Sequence, residues 1–533
     1  MSLRARRALL VAGGLAALAG CALGTWWVVP GGGPPLERVR VTVEQAGASA
    51  VEIDRTIAAP LAAALSELEG SEVTITSSEG RAGAVVELPA DGTALERVRD
   101  RLAAIALPES AYPSIARAPR GRSVRWLVRG EHVAERARMM RVRIEAATGH
   151  EARTCAREQE VHVIVDADRA AAYGLGAAQV ADALSRENAA QPAGRILQGS
   201  QEWAIRTHGE LDSLDSIGEV VIANRESVPV RVRDVATVAW APAPDGCACF
   251  AGGELCASGA AIADEARARE ALRDEEVTWV DAALLFSAPA GTSGEALHRL
   301  GESLAEVAAG VDGVREVAIE VSPPASDGPP ADLALLLVFE RGADPSAILA
   351  ALREAVTRVP GLLLHPPEGG PEIVIAGDDL DLLIESASAV RGALDELARV
   401  VPFGVELAPE LRVEIDRARA AGFGAGETDV ARAMLLSAHG ELASHYREGM
   451  REHAIRVRTE GDLETLRVST ASGSVPLSAI ATLTHELAPP VLYRCGALRC
   501  VRLAVDGDPA ALDRARRRLL TVEVPPGVTL RWR

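Results

Sequence analysis

Three imidazoles and one thioether fall within HGELASHYREGMREH (439–453), as His439, His445, Met450 and His453. Imidazole nitrogens suit zinc or copper, and a thioether suits soft ions, so these four could supply a metal site. Their spacing fits no familiar ligand motif. Solvent-facing histidines on a β-rich segment are the simpler reading, and no metal ligand is assigned. Cysteine is the other reactive type. Cys249 with Cys256, and Cys495 with Cys500, are near enough in sequence to close hairpins as local disulfides. A metal site made of cysteines alone would need paired CxxC spacing, which is absent. Leu18-Ala19-Gly20-Cys21 has the form of a bacterial lipoprotein cleavage box, so Cys21 is a candidate for lipidation. Asp166 and Asp416 each end a strand and precede a helix, where a carboxylate caps the helix rather than catalyses. There is no GxSxG, P-loop or HExxH pattern. The chain is not read as an enzyme, and no cofactor-binding residues are assigned.

The elements that would carry these residues repeat. VIVDADRAAAYGLGAAQVADAL (163–184) is echoed 250 residues later by VEIDRARAAGFGAGETDVARAM (413–434). Ala204-Ile205-Arg206 is echoed by Ala454-Ile455-Arg456 at the same offset. The period far exceeds that of solenoid repeats, so each copy must be domain-sized. At the start of the chain, RVRVTVE (38–44) alternates as a strand. Ser49 and Glu52 form a capping box before an apolar stripe, and Pro60 should kink that helix. SEVTITSSEGRAGAVVELP (71–89) is a strand pair turning at Glu79-Gly80. Thr93 with Glu96, and Thr292 with Glu295, are further capping boxes. Met139-Met140 sits on an Arg-rich helix (133–148) and reads as packing. Later strands are expected at 161–166, 315–321, 332–340, 372–377 and 528–532. Helices are expected to start at Asp344-Pro345 and Asp508-Pro509.

At 533 residues the chain needs several cores, and 48% hydrophobic content can fill them. The formal charge of −19 argues against a nucleic-acid partner. No Lys occurs, so Arg carries all the basic charge apart from His. At the N-terminus, Arg4, Arg6 and Arg7 precede an uncharged run from Ala8 to Pro30, long enough to span a bilayer with Trp26 and Trp27 at its edge. An uncleaved anchor and a cleaved lipoprotein signal both remain open. Either would tether the rest outside the cytoplasm, on the periplasmic side of the inner membrane.

Several motifs, taken in order, resemble the periplasmic part of resistance–nodulation–division efflux permeases. They are DADRAAAYGLGAAQVADAL (166–184), ENAAQPAGRILQGSQEWAIR (187–206), LDSLDSI (211–217), VPVRVRDVATV (228–238), AGDDLD (376–381) and EIDRARAAGFG (414–424). The heavy-metal-efflux branch looks closest. The resemblance implies an α+β fold of four ferredoxin-like (split βαβ) porter subdomains in two tandem halves, each half with a β-rich docking-type insertion. The expected boundaries are 1–35 for the anchor or signal and linker, 36–276 for the first half and 277–533 for the second. The resemblance further implies a periplasmic adaptor or a full-length permease as partner, and a homotrimer. Departures accompany it. Family permeases have twelve membrane helices, whereas here only 8–30 could be one. The junction 253–276 is too short for helices two to seven. With them goes the proton relay, so a tethered, accessory or ligand-binding role is expected, for metal cations or other small molecules. A non-transporting scaffold is the alternative. No Met lies in HPPEGGPEIVIA (365–376), where a metal-binding methionine of the family would stand.

Overall fold

The computed structural model describes residues 36–533, except 46, 109, 119–122, 189–191, 199–200, 207–210, 226, 245, 322–330, 358, 367–369, 449–450, 462 and 471–472. The expected anchor, Cys21 and Met450 therefore lie outside the described residues. No described helix is long and apolar enough to cross a membrane.

Thirty strands are described, and they fall into four groups along the chain. The first holds β1 (Leu36–Glu44), β2 (Glu72–Ser78), β3 (Arg81–Pro89) and β4 (Tyr112–Arg117). The second holds β5 (Ser123–Val128), β6 (Ala152–Ala156), β7 (Gln159–Val165), β8 (Pro192–Gln198), β9 (Gln201–Arg206), β10 (Val221–Arg225), β11 (Val228–Arg231), β12 (Ala236–Pro242), β13 (Ala248–Ala251) and β14 (Glu254–Ile262). The third holds β15 (Thr278–Val280), β16 (Ala282–Ser287), β17 (Val314–Val321), β18 (Leu333–Phe339) and β19 (Leu363–Leu364). The fourth holds β20 (Glu372–Gly377), β21 (Arg399–Phe403), β22 (Ala408–Ile415), β23 (Glu441–Glu448), β24 (Arg451–Thr459), β25 (Arg467–Thr470), β26 (Gly473–Pro476), β27 (Ala481–Ala488), β28 (Val491–Cys495), β29 (Leu498–Asp506) and β30 (Thr529–Trp532).

Local sequence explains most of these elements. In β2 and β3 burial alternates strictly, the half-buried pattern of a sheet with one face on helices. Ser49 and Glu52 form the capping box as expected. Pro60 sits in the first turn of the helix Ala59–Ser66, after a π-helical turn at Asp54–Ala58. The π turn thus accommodates Pro60 inside one contiguous helical run from Ala50 to Ser66. Asp344 and Asp508 cap their helices with proline behind them. Two expected caps fall elsewhere. Thr93 gives its N–H and hydroxyl to Asp91 and caps nothing. Ser293, not Thr292, accepts the amide of Ala296, because Thr292 turns its hydroxyl to the carbonyl of Pro289.

Three sheets organise the molecule, and each joins early strands to late ones. The first runs β30-β20-β29-β28-β2-β3-β1-β4, with β21 also on β29. Its seam is β2 on β28, held from below by Asp54. That fully buried carboxylate takes both Arg494 and Arg499, at 2.6 and 2.9 Å.

The second runs β15-β5-β14-β13-β17-β18-β16-β19, with β6 on β14. β15 and β16 are separated only by Asp281, whose N–H donates to Leu337 O, so they form one nearly continuous strand bonded both to β5 and to β18, at opposite ends of the order. The sheet therefore closes into a barrel. Alternate residues pack outward on helices, as Trp126 does in one core with Met140 and Ile144 of the helix Val133–Thr148. The others fill the interior: Leu127, Cys155, Cys249, Cys256, Ala334 and Leu336, each no more than 1% exposed. Cys155–Cys247 and Cys249–Cys256 cross-link this interior.

The third sheet runs β12-β7-β24-β23. Here β24 lies parallel to β7, pairing Ile455 with Val161 and Val457 with Val163. By contrast β22 is bonded only to β27 among the described strands, and β8 only to β9.

Candidate functional site

The repeated motif has the same geometry in both places. Asp166 accepts the amides of Asp168 and Arg169 through one carboxylate oxygen, and Asp416 does so for Ala418 and Arg419. Both are helix caps. Gly174 and Gly424 follow in the left-handed region, at φ 66° and 71°, and turn the chain into the next helix. These helices, Ala177–Glu187 and Glu427–Ala438, meet beneath the third sheet, where Arg432 bridges Asp182 at 2.6 Å and Glu441 at 2.7 Å. Between the motifs lies a cavity of about 70 Å³, bordered by Leu175, Asp429, Arg432 and Arg467. Its charges are mutually balanced, so it favours no ligand class.

The histidines of 439–453 do not converge. His439 is the C-cap of its helix. His445 stands opposite Ala454 in the β23–β24 register, and His453 opposite Tyr446, so the two side chains leave opposite faces of the hairpin. His453 packs edge-on against Trp240, with centroids 4.8 Å apart, and its Nδ1 lies 3.3 Å from Gln159 O. Among the described residues no group of three His, Cys, Asp or Glu is placed to hold a metal ion. Met140 is core, and Met139 is exposed.

Where the family resemblance places a methionine, the fold offers an imidazole. His365 follows β19, at the contact between barrel and first sheet. Its Nε2 lies 2.7 Å from Ser287 Oγ, and its ring meets Phe403 edge-on at 5.0 Å. Arg399 reaches over from β21 to Leu364 O at 2.7 Å. Burial, reinforced by the Arg399 charge, lowers the His365 pKa to about 4. A buried ring bonded to a hydroxyl is a packing contact between the two sheets, and one imidazole alone makes no metal centre.

Acid destabilises the fold through this ring. Between about pH 6.5 and 4 the unfolded chain binds a proton at this position that the folded chain refuses, so stability falls as pH falls. From pH 7 to pH 5 the loss through this group is about 2 kcal/mol. Urea melts at both pH values are expected to show His365→Gln losing less than the parent by that amount. Equal losses would rule this contribution out.

Sequence reasoning missed Cys155–Cys247, whose partners are 92 residues apart, because spacing signals only short loops. The bridges Cys249–Cys256 and Cys495–Cys500 close the hairpins β13–β14 and β28–β29.

Comparison with known proteins gives this architecture a family. The AcrB/AcrD/AcrF family matches residues 151–257 and 371–533. Protein HelA of Legionella pneumophila is 38% identical over 82 residues, 15% of this chain and 8% of that protein. The cation efflux system protein CusA of Escherichia coli (strain K12) is 35% identical over 85 residues, 16% of this chain and 8% of CusA. The cation efflux system protein CzcA of Alcaligenes sp. (strain CT14) is 24% identical over 226 residues, 38% of this chain and 21% of CzcA. The chain thus matches far less than two thirds of these relatives' length. A crystal structure of a heavy metal efflux pump superposes with a TM-score of 0.80 at 14% identity, covering 99% of this chain and 82% of the other. That likeness concerns fold alone. The family match spans half the sequence, including the barrel strands β6 and β13 and the whole of β20 to β30, and on that ground the chain belongs to the AcrB/AcrD/AcrF family.

Proposed function

We propose that this chain is the periplasmic porter and docking part of a resistance–nodulation–division system, and that it serves efflux without driving it. In this reading residues 36–276 and 277–533 are two halves, and four ferredoxin-like units build the first sheet and the barrel. The order β2-β3-β1-β4 supports that for the first unit. The observation that carries the proposal is the junction between the halves. β14 and β15 both bond to β5, and only the seven-residue helix Glu265–Ala271 lies between them. The permeases it resembles place six membrane helices there, with a share of their proton-coupling groups.

The ligand class we carry over from the relatives' names is metal cations, with other small molecules beside it. The second reading, a scaffold with no binding cleft, is favoured by the filled barrel interior and the diverging histidines. A homotrimer at the inner membrane, with an adaptor or an intact permease as partner, completes the proposal. The edge of β22 that is left open among the described strands supports assembly. It occupies in the second copy of the motif the place of β7, which in the first copy is covered by β24.

Cross-linking in cells followed by identification of partners tests the accessory role, and an adaptor or permease is the expected capture. Proton-driven transport by the purified chain alone in proteoliposomes would overturn it. Calorimetric titration with Cu(I), Ag(I) and Zn(II) separates the two readings. Saturable binding supports a ligand-binding part, and silence supports the scaffold.

A further inference from the structure

The helix Pro509–Leu519 covers the first sheet and buries Ala511, Ala515 and Leu519. The last two share a core with Leu383, Val390 and Leu394 of the neighbouring helix Leu380–Leu394. The outer side is built differently. Arg514, Arg516, Arg517 and Arg518 are all exposed, and Asp513 is the one acidic residue on that helix. Among the described residues no carboxylate pairs with any of the four guanidiniums. By contrast Arg432, Arg494, Arg499 and Arg502 each hold a carboxylate. Leu520 follows at 84% exposed, the highest value of any large apolar side chain among the described residues. It stands one turn beyond Arg516, on the same outer side. The helix macrodipole favours cations in a last turn. It does not account for Arg514 or for a bare leucine among the charges.

This helix belongs to the edge of the first sheet where the chain enters it. β1 begins at Leu36, which pairs with Pro89 of β3, and β2 begins beside it at Glu72, which pairs with Glu87. Arg531 and Arg533, at the end of the chain, both reach the Glu72 carboxylate. The helix leads into β30 through residues 520–528 alone. Before Leu36 come the linker Gly31–Pro35 and the uncharged run Ala8–Pro30, expected from its sequence to anchor the chain. A five-residue linker reaches at most about 18 Å. A bilayer entered by that run therefore lies close to this edge.

We propose that the outer side of the helix Pro509–Leu519 lies on the headgroups of an anionic phospholipid bilayer, with Arg514, Arg516, Arg517 and Arg518 over the phosphates and Leu520 entering the acyl boundary. The proposal rests on the reading of 8–30 as a tether. Guanidinium forks match the paired oxygens of a phosphodiester. A helix with cations and an apolar residue on one exposed side gains from charge and from burial at a membrane interface. The chain carries a formal charge of −19, so an anionic surface repels most of it and accepts this side selectively. An anchor alone fixes distance from the membrane. A basic helix beside it fixes orientation, so the first sheet stands with one defined side towards the lipid.

The test places the full chain in nanodiscs of phosphatidylcholine, with or without phosphatidylglycerol, and reads phenylglyoxal modification in peptide mass spectra. In the anionic discs Arg514 and Arg516 to Arg518 are expected to react about fivefold more slowly than in the neutral ones. Arg417, whose side chain is 90% exposed, should react equally in both. Salt near 1 M, where screening acts within about 3 Å, should remove the protection. Equal rates in the two lipids would overturn the proposal. Equal protection in neutral discs or in detergent would also overturn it, and would assign the helix to a protein partner or a second copy. Retention of the chain by the discs reads the tether separately. If the discs do not retain it, flotation with phosphatidylglycerol vesicles decides. Replacing the four arginines together by Gln is then expected to weaken binding on the order of a hundredfold. The proposal fails if parent and variant float alike, or if neither floats.

Discussion

Replacing Cys155 and Cys247 together by Ala is expected to cost about 4–5 kcal/mol of stability, more than the loss of either other disulfide. The bridge closes a loop of 92 residues, whereas Cys249–Cys256 and Cys495–Cys500 close loops of 7 and 5. Loop-closure entropy grows with the logarithm of length, so each short bridge is worth only about 2 kcal/mol by the same reasoning. The long bridge also ties β6 to the strand leading into β13, across the excursion that carries β7 to β12. Its removal frees that whole excursion in the unfolded chain. Urea unfolding followed by the fluorescence of Trp126 and Trp279, which lie in the barrel wall, reads the effect directly. A Cys249→Ala/Cys256→Ala protein is the comparison. Equal losses for the two pairs would show that loop length does not govern stability in this fold.

Trp126→Ala is expected to lose about 3–5 kcal/mol. The indole is 0% exposed, packs at a tilt of 58° against Trp279 with 6.4 Å between centroids, and lies under the helix that carries Met140 and Ile144. It also covers Gly259, its register partner on β14. A Cβ at 259 would fall within the indole ring, so Gly259→Ala must displace the ring and is expected to cost about 1–3 kcal/mol through overpacking. The two changes should not add. Once Trp126 is Ala, the space over Gly259 is open, and Gly259→Ala becomes nearly free or stabilising, because alanine suits a strand better than glycine. Additive losses in a double-mutant cycle in urea would refute overpacking as the reason for the glycine.

Local grammar was legible in the sequence, and partner choice across the chain was not. The motif 163–184 and its echo could be read as strand, cap, glycine turn and helix, because every signal lies within a few residues. The Ser49 and Asp344 caps were legible for the same reason. Thr93 and Thr292 failed because a better acceptor stood one or two residues away, at Asp91 and Ser293. Nothing in the sequence shows that β24 runs parallel to β7, or that β2 pairs with β28, since those choices rest on tertiary packing. The histidines of 439–453 looked like a cluster because their distance along the chain is short. Strand alternation sends His445 and His453 to opposite faces, and the order of residues does not reveal that without the register.

None of the three large sheets can close from the first half of the chain alone. The first sheet waits for β28, the barrel for β18, and the third sheet for β24. A chain emerging N-terminus first therefore carries β2 and β7 as open edges through hundreds of residues of synthesis. Unpaired edges of this kind invite mispairing, and contacts so distant in sequence form slowly. Newly made polypeptide thus depends on whatever holds such edges apart until the last strands arrive. The charged Glu72 and Glu160 along β2 and β7 are the chain's own contribution to that waiting period.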